Sequence, residues 1–357
     1  MKIVILGLSY TSSWGNGHAT TYRALIRELG ARGHEIVFLE RDVPWYAEHR
    51  DAPSAQPPTR IILYKDFGEL RTRHTRTVRG ADLVIVGSYV PEGVKVGDWV
   101  LENAEGVSAF YDIDTPVTLA QLRQNACTYL RADQIEKYQL YLSFTGGPTL
   151  RDLEEEWGSP MARPLYCSVD PKSYFPERQK RRWELGYLGT YSADRQTTLE
   201  HLLAATARRC GAARFAVAGS MYPENITWPA NVERIAHLAP AQHRSFYNRQ
   251  RFTLNVTRAD MIAAGYSPSV RLFEAAACGT PIISDAWAGL EELFEPGREI
   301  IIARSTEDVI ETLRRMTPAE VDEMGRAARA RVLAEHTAAH RAAELERHLQ
   351  QLNCVLT

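Results

Sequence analysis

Arg271 and Glu274 stand three residues apart in the stretch SPSVRLFEAAACGTPIISD, residues 267–285, a spacing that puts both on one face of a helix. Ser267 and Pro268 supply a helix start, since serine accepts from free first-turn N–H groups and proline tolerates the first helical position. Gly279 and then Pro281 supply the stop. Val270, Phe273 and Ala277 take another face, which aligns the charges toward the capped end. A helix N-terminus carries free N–H donors and about half a positive charge, a setting for an anion and most often a phosphate. Arg271 would add a positive fork there, and Glu274, a turn further on, would accept from a ribose diol. An i, i+3 ion pair on a solvated face is the competing reading of the same spacing.

A second constellation is SYTSSWGNGHATT, a long polar loop after the strand-like run KIVILG. Gly15 and Gly17 would let the backbone approach a ligand closely, and His18 follows at or near a helix start. With Glu40 ending the next strand, this imitates a dinucleotide fingerprint, in which an acidic residue about 20 positions on holds the ribose. That makes a nicotinamide- or flavin-dependent oxidoreductase the first rival. The imitation lacks the last glycine, because Thr20 stands there, and it lies too far past the strand for the tight turn the fingerprint requires. His237, His243 and His336 have no partners at zinc spacing.

These residues need a frame. Short β-branched runs alternate with helical patterns along the whole chain, which predicts parallel sheets built from βαβ units. The expected strands are KIVILG, EIVFLE, RIILY, ADLVIVGS, VSAFYDI, YLSFTGG and RPLYCSV in the first half, then WELGYLG, RFAVAGS, VERIAHL, FTLNV, TPIIS and EIIIA. Between the halves, VDPKSYFPERQKRR (169–182) reads as a linker, with two prolines and a basic cluster. Capping boxes at Ser305–Asp308 and Thr317–Glu320 open two late helices, and an Ala, Arg and Glu-rich helix is expected from about 333 to 350. The 357 residues thus make two doubly wound α/β domains of Rossmann type with a cleft expected between them. We place the first at 1–170 and the second at 171–332, with the 333–357 helix packing back on the first.

A hydrophobic fraction of 45% with 24% charged residues excludes a disordered or fibrous chain. The net charge of −2 offers no basic surface for nucleic acid. The five cysteines are scattered and odd in number, which reads as reduced and structural. The N-terminus lacks a signal-peptide pattern, and no run reaches the roughly 18 apolar residues of a transmembrane segment. A cytoplasmic protein is expected.

The run SVRLFEAAACGTPIIS, with the Asp285–Leu290 turn and PGREIIIA, resembles the donor-binding half of glycosyltransferases with the two-domain GT-B fold. The subgroup it is most similar to is the one related to the spore maturation protein CgeB. The similarity extends to LNVTR, the CSVDPKSYFP hinge, GTYSADR and the terminal helix, and is looser in the first domain. It implies that Glu274 holds the donor ribose, that the loop Gly265, Tyr266, Ser267 to Ser269 cradles the diphosphate, and that Arg195 faces the leaving diphosphate, whose developing charge a fixed cation stabilises. His18 lies where inverting enzymes of this fold place their general base, with Gly17 beside it on the ligand. Asp112 or Asp114 in FYDIDTP would orient that base; an Asp-x-Asp metal motif, which these two imitate, belongs to a different glycosyltransferase fold. One departure stands out: the related retaining family carries two glutamates separated by seven residues, and Tyr266 occupies the place of the first. The resemblance therefore leaves inverting and retaining chemistry both open.

The expectation is a metal-independent glycosyltransferase with a nucleoside diphosphate sugar as co-substrate, no separate cofactor, and an acceptor held mainly by the first domain. Besides the oxidoreductase, the rivals are a catalytically inactive nucleotide-sugar or glycan-binding homologue and an epimerase of the same fold.

Overall fold

A computed structural model describes residues 1–14, 17–52, 55 and 57–356. The chain forms two compact units, Met1–Cys167 joined by the chain from Ala338 onward, and Ser168–Thr337.

The first unit is built on a parallel sheet of β1 (Lys2–Leu6), β2 (Glu35–Arg41), β3 (Thr59–Tyr64), β4 (Leu83–Gly87), β5 (Val107–Asp112), β6 (Leu140–Ser143) and β7 (Ala162–Pro164), ordered β3-β2-β1-β4-β5-β6-β7. Alternate residues of a strand point to opposite faces, and here both faces are covered. Ile3, Ile5, Phe38 and Ile85 pack against Tyr22, Leu25 and Leu29 of the His18–Ala31 helix. Val4, Leu6, Val84 and Val86 pack on the other side with Leu70, Val96 and Trp99. The near-continuous apolar runs of these strands follow from that double burial.

The second unit repeats the plan with β8 (Trp183–Leu188), β9 (Phe215–Ala218), β10 (Val232–Ile235), β11 (Gln250–Asn255), β12 (Ile282–Ser284) and β13 (Ile301–Ile302), ordered β10-β9-β8-β11-β12-β13, all paired parallel. Two Rossmann-like domains in tandem are the expected fold class. In each sheet the strand order reverses once, between β1 and β4 and between β8 and β11, and such reversals open a crevice at the carboxyl ends of the strands. Both expected capping boxes form: Ser305 accepts from the Asp308 N–H at 3.1 Å, and Thr317 from the Glu320 N–H at 3.3 Å.

Two helix boundaries differ from expectation. The helix predicted from Ser267 begins at Val270, because Gly265 (φ +66°) and Tyr266 (φ +49°) take left-handed conformations and the Ser267 hydroxyl turns to the Met261 sulfur at 2.9 Å. The terminal helix expected from about 333 begins at Ala338, because the helix opened by the Thr317 capping box runs on to Glu335 and a break follows. Helix propensity runs through the break, but His336 stacks on Phe273 with ring centroids 4.8 Å apart, and its carbonyl accepts from the Val169 N–H at 3.2 Å. Packing overrides propensity at this point.

Candidate functional site

In the second unit, Arg271 spans the reversal of strand order. Its Nε donates to the Leu188 carbonyl at the end of β8 at 2.5 Å, and its Nη1 to Asn255 Oδ1 at the end of β11 at 2.7 Å. Its guanidinium also lies 4.8 Å from the Tyr187 ring centroid. Asn255 is held in turn: Oδ1 accepts from Ser269 at 2.9 Å and Nδ2 donates to Ser284 at 3.0 Å. Asp285 completes the network by accepting from the Thr257 N–H at 2.7 Å and hydroxyl at 2.8 Å, and burial raises its pKa above the ordinary carboxylate value despite those bonds.

Glu274 turns to different partners. It is 4% exposed, and Oε2 accepts from the Tyr247 hydroxyl at 3.0 Å, with His243 Nδ1 3.8 Å away. His243 Nε2 lies 3.1 Å from the Leu238 carbonyl, an oxygen that can only accept, so that nitrogen carries the proton. Burial, and next the Glu274 charge, push the Tyr174 and Tyr247 phenols well above their usual pKa, so both remain donors. Arg271 and Glu274 are therefore both buried with separate partners, and the solvated ion pair is overturned.

Ser269 occupies the N-cap position of the Val270–Ala277 helix without a side-chain cap, its hydroxyl being committed to Asn255. Gly265 and Tyr266 fold onto the turn after β12: the Tyr266 N–H donates to the Ala288 carbonyl at 2.6 Å, and a Cβ on Gly265 would meet that oxygen at 2.8 Å. The Tyr266 ring lies on Gly289, where an added Cβ would come within 2.4 Å of it. Ser267 is buried beneath, facing Met261.

Arg195 donates from Nη2 to the Thr190 carbonyl at 2.6 Å, while its Nε is buried without a hydrogen-bond partner. Arg258, at the N-cap of Ala259–Ala264, has a buried Nε in the same condition and lies 3.9 Å from Asp194. Buried N–H groups are rarely left unpaired; Arg195 Nε, in the first turn of the Ala193–Leu199 helix after β8, is such a donor, while Arg258 Nε has the Asp194 carboxylate as its neighbour. Sequence reading missed Arg258, although it ends the LNVTR stretch. It also missed Asn255, Tyr174 and Tyr247, because their roles come from partners tens of residues away.

In the first unit, Gly17 and His18 open the first helix after β1, while Gly15 lies outside the described residues. A Cβ on Gly17 would meet nothing within 4 Å, and its φ of −85° suits any residue, so the protein itself does not demand glycine there. His18 Nδ1 is buried without a partner, and desolvation lowers its pKa to about 3, so the imidazole is neutral. Its ring lies 5.5 Å from that of Tyr89, just after β4, whose hydroxyl donates to Asp114 Oδ2 at 3.0 Å. Tyr89 thus touches both, His18 with its ring and Asp114 with its hydroxyl. Asp112 is fully buried, and its oxygens accept from Tyr141 at 2.6 Å, Thr118 at 2.9 Å and the Asp114 N–H at 3.1 Å. Desolvation raises its pKa to about 6. It shapes the turn that presents Asp114.

Glu40, which the oxidoreductase reading needs on a ribose, is 1% exposed. It accepts from the Tyr10 and Thr11 N–H groups at 2.6 and 2.9 Å and from the Thr11 and Ser9 hydroxyls at 2.6 and 3.1 Å. The carboxylate is spent on the loop after β1. Among the described residues no three His, Cys, Asp or Glu side chains converge as a metal-binding set, and no helix is long and apolar enough to cross a membrane.

Residues 195–347 match the family described as glycosyl transferase-like. The chain matches no curated protein. Solved structures similar over nearly the whole chain include the sucrose-phosphate synthase of Thermosynechococcus elongatus, with a TM-score of 0.73 and 15% identity over 99% of this chain and 100% of that one. Anabaena HepE in complex with UDP-glucose gives 0.71 and 12% over 98% and 100%. An α-glucosyltransferase in complex with UDP and a DNA 13-mer gives 0.72 and 12% over 98% and 99%. At these identities the likeness establishes the fold, two Rossmann-like domains of the GT-B kind.

Proposed function

We propose that this protein is a glycosyltransferase that moves a sugar from a nucleoside diphosphate sugar to an acceptor, with the second unit holding the donor. The observation that carries this is the group of donors at the ends of β8 and β11. The unpartnered Nε of Arg195, the Arg258 guanidinium beside Asp194 and the uncapped N-terminus of the Val270–Ala277 helix stand there with the Arg271 charge beside them. This group suits a diphosphate and stabilises it as it departs, so the chemistry needs no metal to neutralise the leaving group. Glu274, one turn along the helix, takes the ribose hydroxyls. The glycosyl transferase-like match over the same stretch supports the reading, and the complexes of similar folds with UDP-glucose and UDP make UDP the first nucleotide to test.

In the first unit, His18 is neutral and so in the form that accepts a proton from an acceptor hydroxyl. Asp114 holds the Tyr89 hydroxyl, and the Tyr89 ring lies against the imidazole. Tyr266, in place of a glutamate, leaves the sugar to other contacts. Membership of the CgeB-related subgroup, resting on the motifs quoted above, and a cytoplasmic location, resting on the scattered and odd-numbered cysteines, complete the proposal.

Calorimetric titration of the purified chain with UDP, GDP, dTDP and NAD tests it. Saturable binding of one nucleoside diphosphate, followed by release of that diphosphate from its sugar conjugate, is expected. Binding of NAD alone would restore the oxidoreductase reading, and tight nucleotide binding without turnover would leave an inactive homologue.

A further inference from the structure

Two tryptophans on the first unit stand out against its buried aromatics: Trp14 is 44% exposed and Trp45 53%. Trp14 lies on the loop after β1 and Trp45 on the short Pro44–Ala47 helix after β2, both at the carboxyl edge of the sheet, the side on which open α/β sheets bind ligands. His49 links the two segments that carry them. The Trp14 ring stacks on His49 with centroids 4.7 Å apart and planes 25° from parallel, and His49 Nδ1 is 3.0 Å from the Trp45 carbonyl.

The surface is also stiff. Glu40 ties down residues 9–11 by the four bonds described above. Ser12 donates to the His49 carbonyl at 2.7 Å, the Ser13 N–H to Asp51 at 3.0 Å, and Arg23 to Asp51 at 2.6 Å. Exposed indoles fixed in advance cost little entropy when a ligand settles on them. Their electron-rich faces attract the partly positive C–H groups of an apolar surface, and the C–H face of a pyranose ring has that character. A nucleic acid or an anionic membrane would ask for basic neighbours, yet residues 40–51 carry two arginines against four carboxylates. Both arginines are already paired, Arg41 with Glu92 at 2.8 Å and Arg50 with Asp42 at 2.6 Å.

We propose that Trp14 and Trp45 form a stacking platform for a neutral saccharide, which makes the acceptor a glycan. This rests on the glycosyltransferase reading for the word acceptor; the platform itself does not. The test uses the full chain and its Trp14→Ala, Trp45→Ala and Trp45→Tyr variants on an immobilised array of neutral oligosaccharides. Phosphatidylcholine vesicles with added phosphatidylglycerol are run in parallel, and UDP affinity is measured calorimetrically on the same samples. Retention of a neutral saccharide by the parent, weakened about tenfold in each alanine variant and largely restored by Trp45→Tyr, is expected, with UDP affinity within about twofold to show that the loss is local. Equal retention by parent and alanine variants, no retention of any saccharide, or tryptophan-dependent binding to the vesicles instead would each overturn it. If the saccharide is retained through the tryptophans but no nucleoside diphosphate binds, the platform stands and the proposed transfer reaction falls.

Discussion

His18 is held neutral by desolvation alone, and the sign of its linkage follows. A base whose folded pKa is depressed to about 3 from an unfolded value of about 6.5 leaves the native state short of a proton that the unfolded chain binds. Its contribution to stability is complete above the unfolded pKa and is lost as the pH falls toward 3. Ring proton shifts of His18 should thus stay at their neutral positions from pH 7.5 to 4.5, and a normal titration near 6.5 would contradict the desolvation of its ring. In transfer assays His18→Ala should abolish an inverting reaction while leaving nucleotide affinity nearly intact. A retaining enzyme would keep substantial activity, and the anomeric configuration of the product separates the two. Glu274→Gln keeps the size and one acceptor of a buried side chain, so it is a gentler probe than alanine. It should weaken nucleotide binding by about 1 to 3 kcal/mol through a lost charge-assisted hydrogen bond, and unchanged calorimetric affinity would remove Glu274 from the ribose site. Sequence alone brought these residues forward by their helix-start and strand-end positions. It kept an Arg271–Glu274 pair as a competing reading because spacing along a helix says nothing of what stands opposite.

The turn after β5 shows how an element carries a site. Asp112 lies at the strand end with every acceptor engaged, and desolvation raises its pKa to about 6. The native state therefore keeps a proton between pH 4 and 6 that the unfolded chain releases, and stability falls as pH rises through that window, by a limit on the order of 3 kcal/mol. Asp112→Asn keeps the shape and lacks that fall, so thermal melts of parent and variant from pH 4 to 7 should converge or cross as the pH rises. Parallel curves would mean that the carboxyl titrates normally. The turn after β11 behaves otherwise. Gly265 and Tyr266 use positive φ to lay the chain against Ala288 and Gly289, which delays the helix by a few residues and frees its N-terminus from Ser267. Periodicity could mark the helix but not this clasp, since the clasp is a contact with the loop after β12.

At the scale of the molecule, the first unit is discontinuous: the Ala338–Leu356 helix returns to it and buries Ala342, Leu345, Leu349 and Leu352 against the face of the first helix. Glu346 adds bonds to Arg32 at 2.9 Å and His34 at 2.8 Å. Leu345→Ala should destabilise by about 2 to 5 kcal/mol, and in calorimetry only the transition of the first unit should move. A shift of both transitions alike would mean that the two units unfold as one. What the sequence determined by itself is the pair of parallel sheets, because buried strands must be β-branched and apolar whatever they later pair with, and because capping boxes and glycine stops act within a few residues. What tertiary structure decided is which strand ends meet. Arg271 at the junction of β8 and β11, Glu40 spent on its neighbouring loop, the helix break at His336 and the exposed tryptophan surface all depend on residues distant in the chain, and no local pattern encodes that distance.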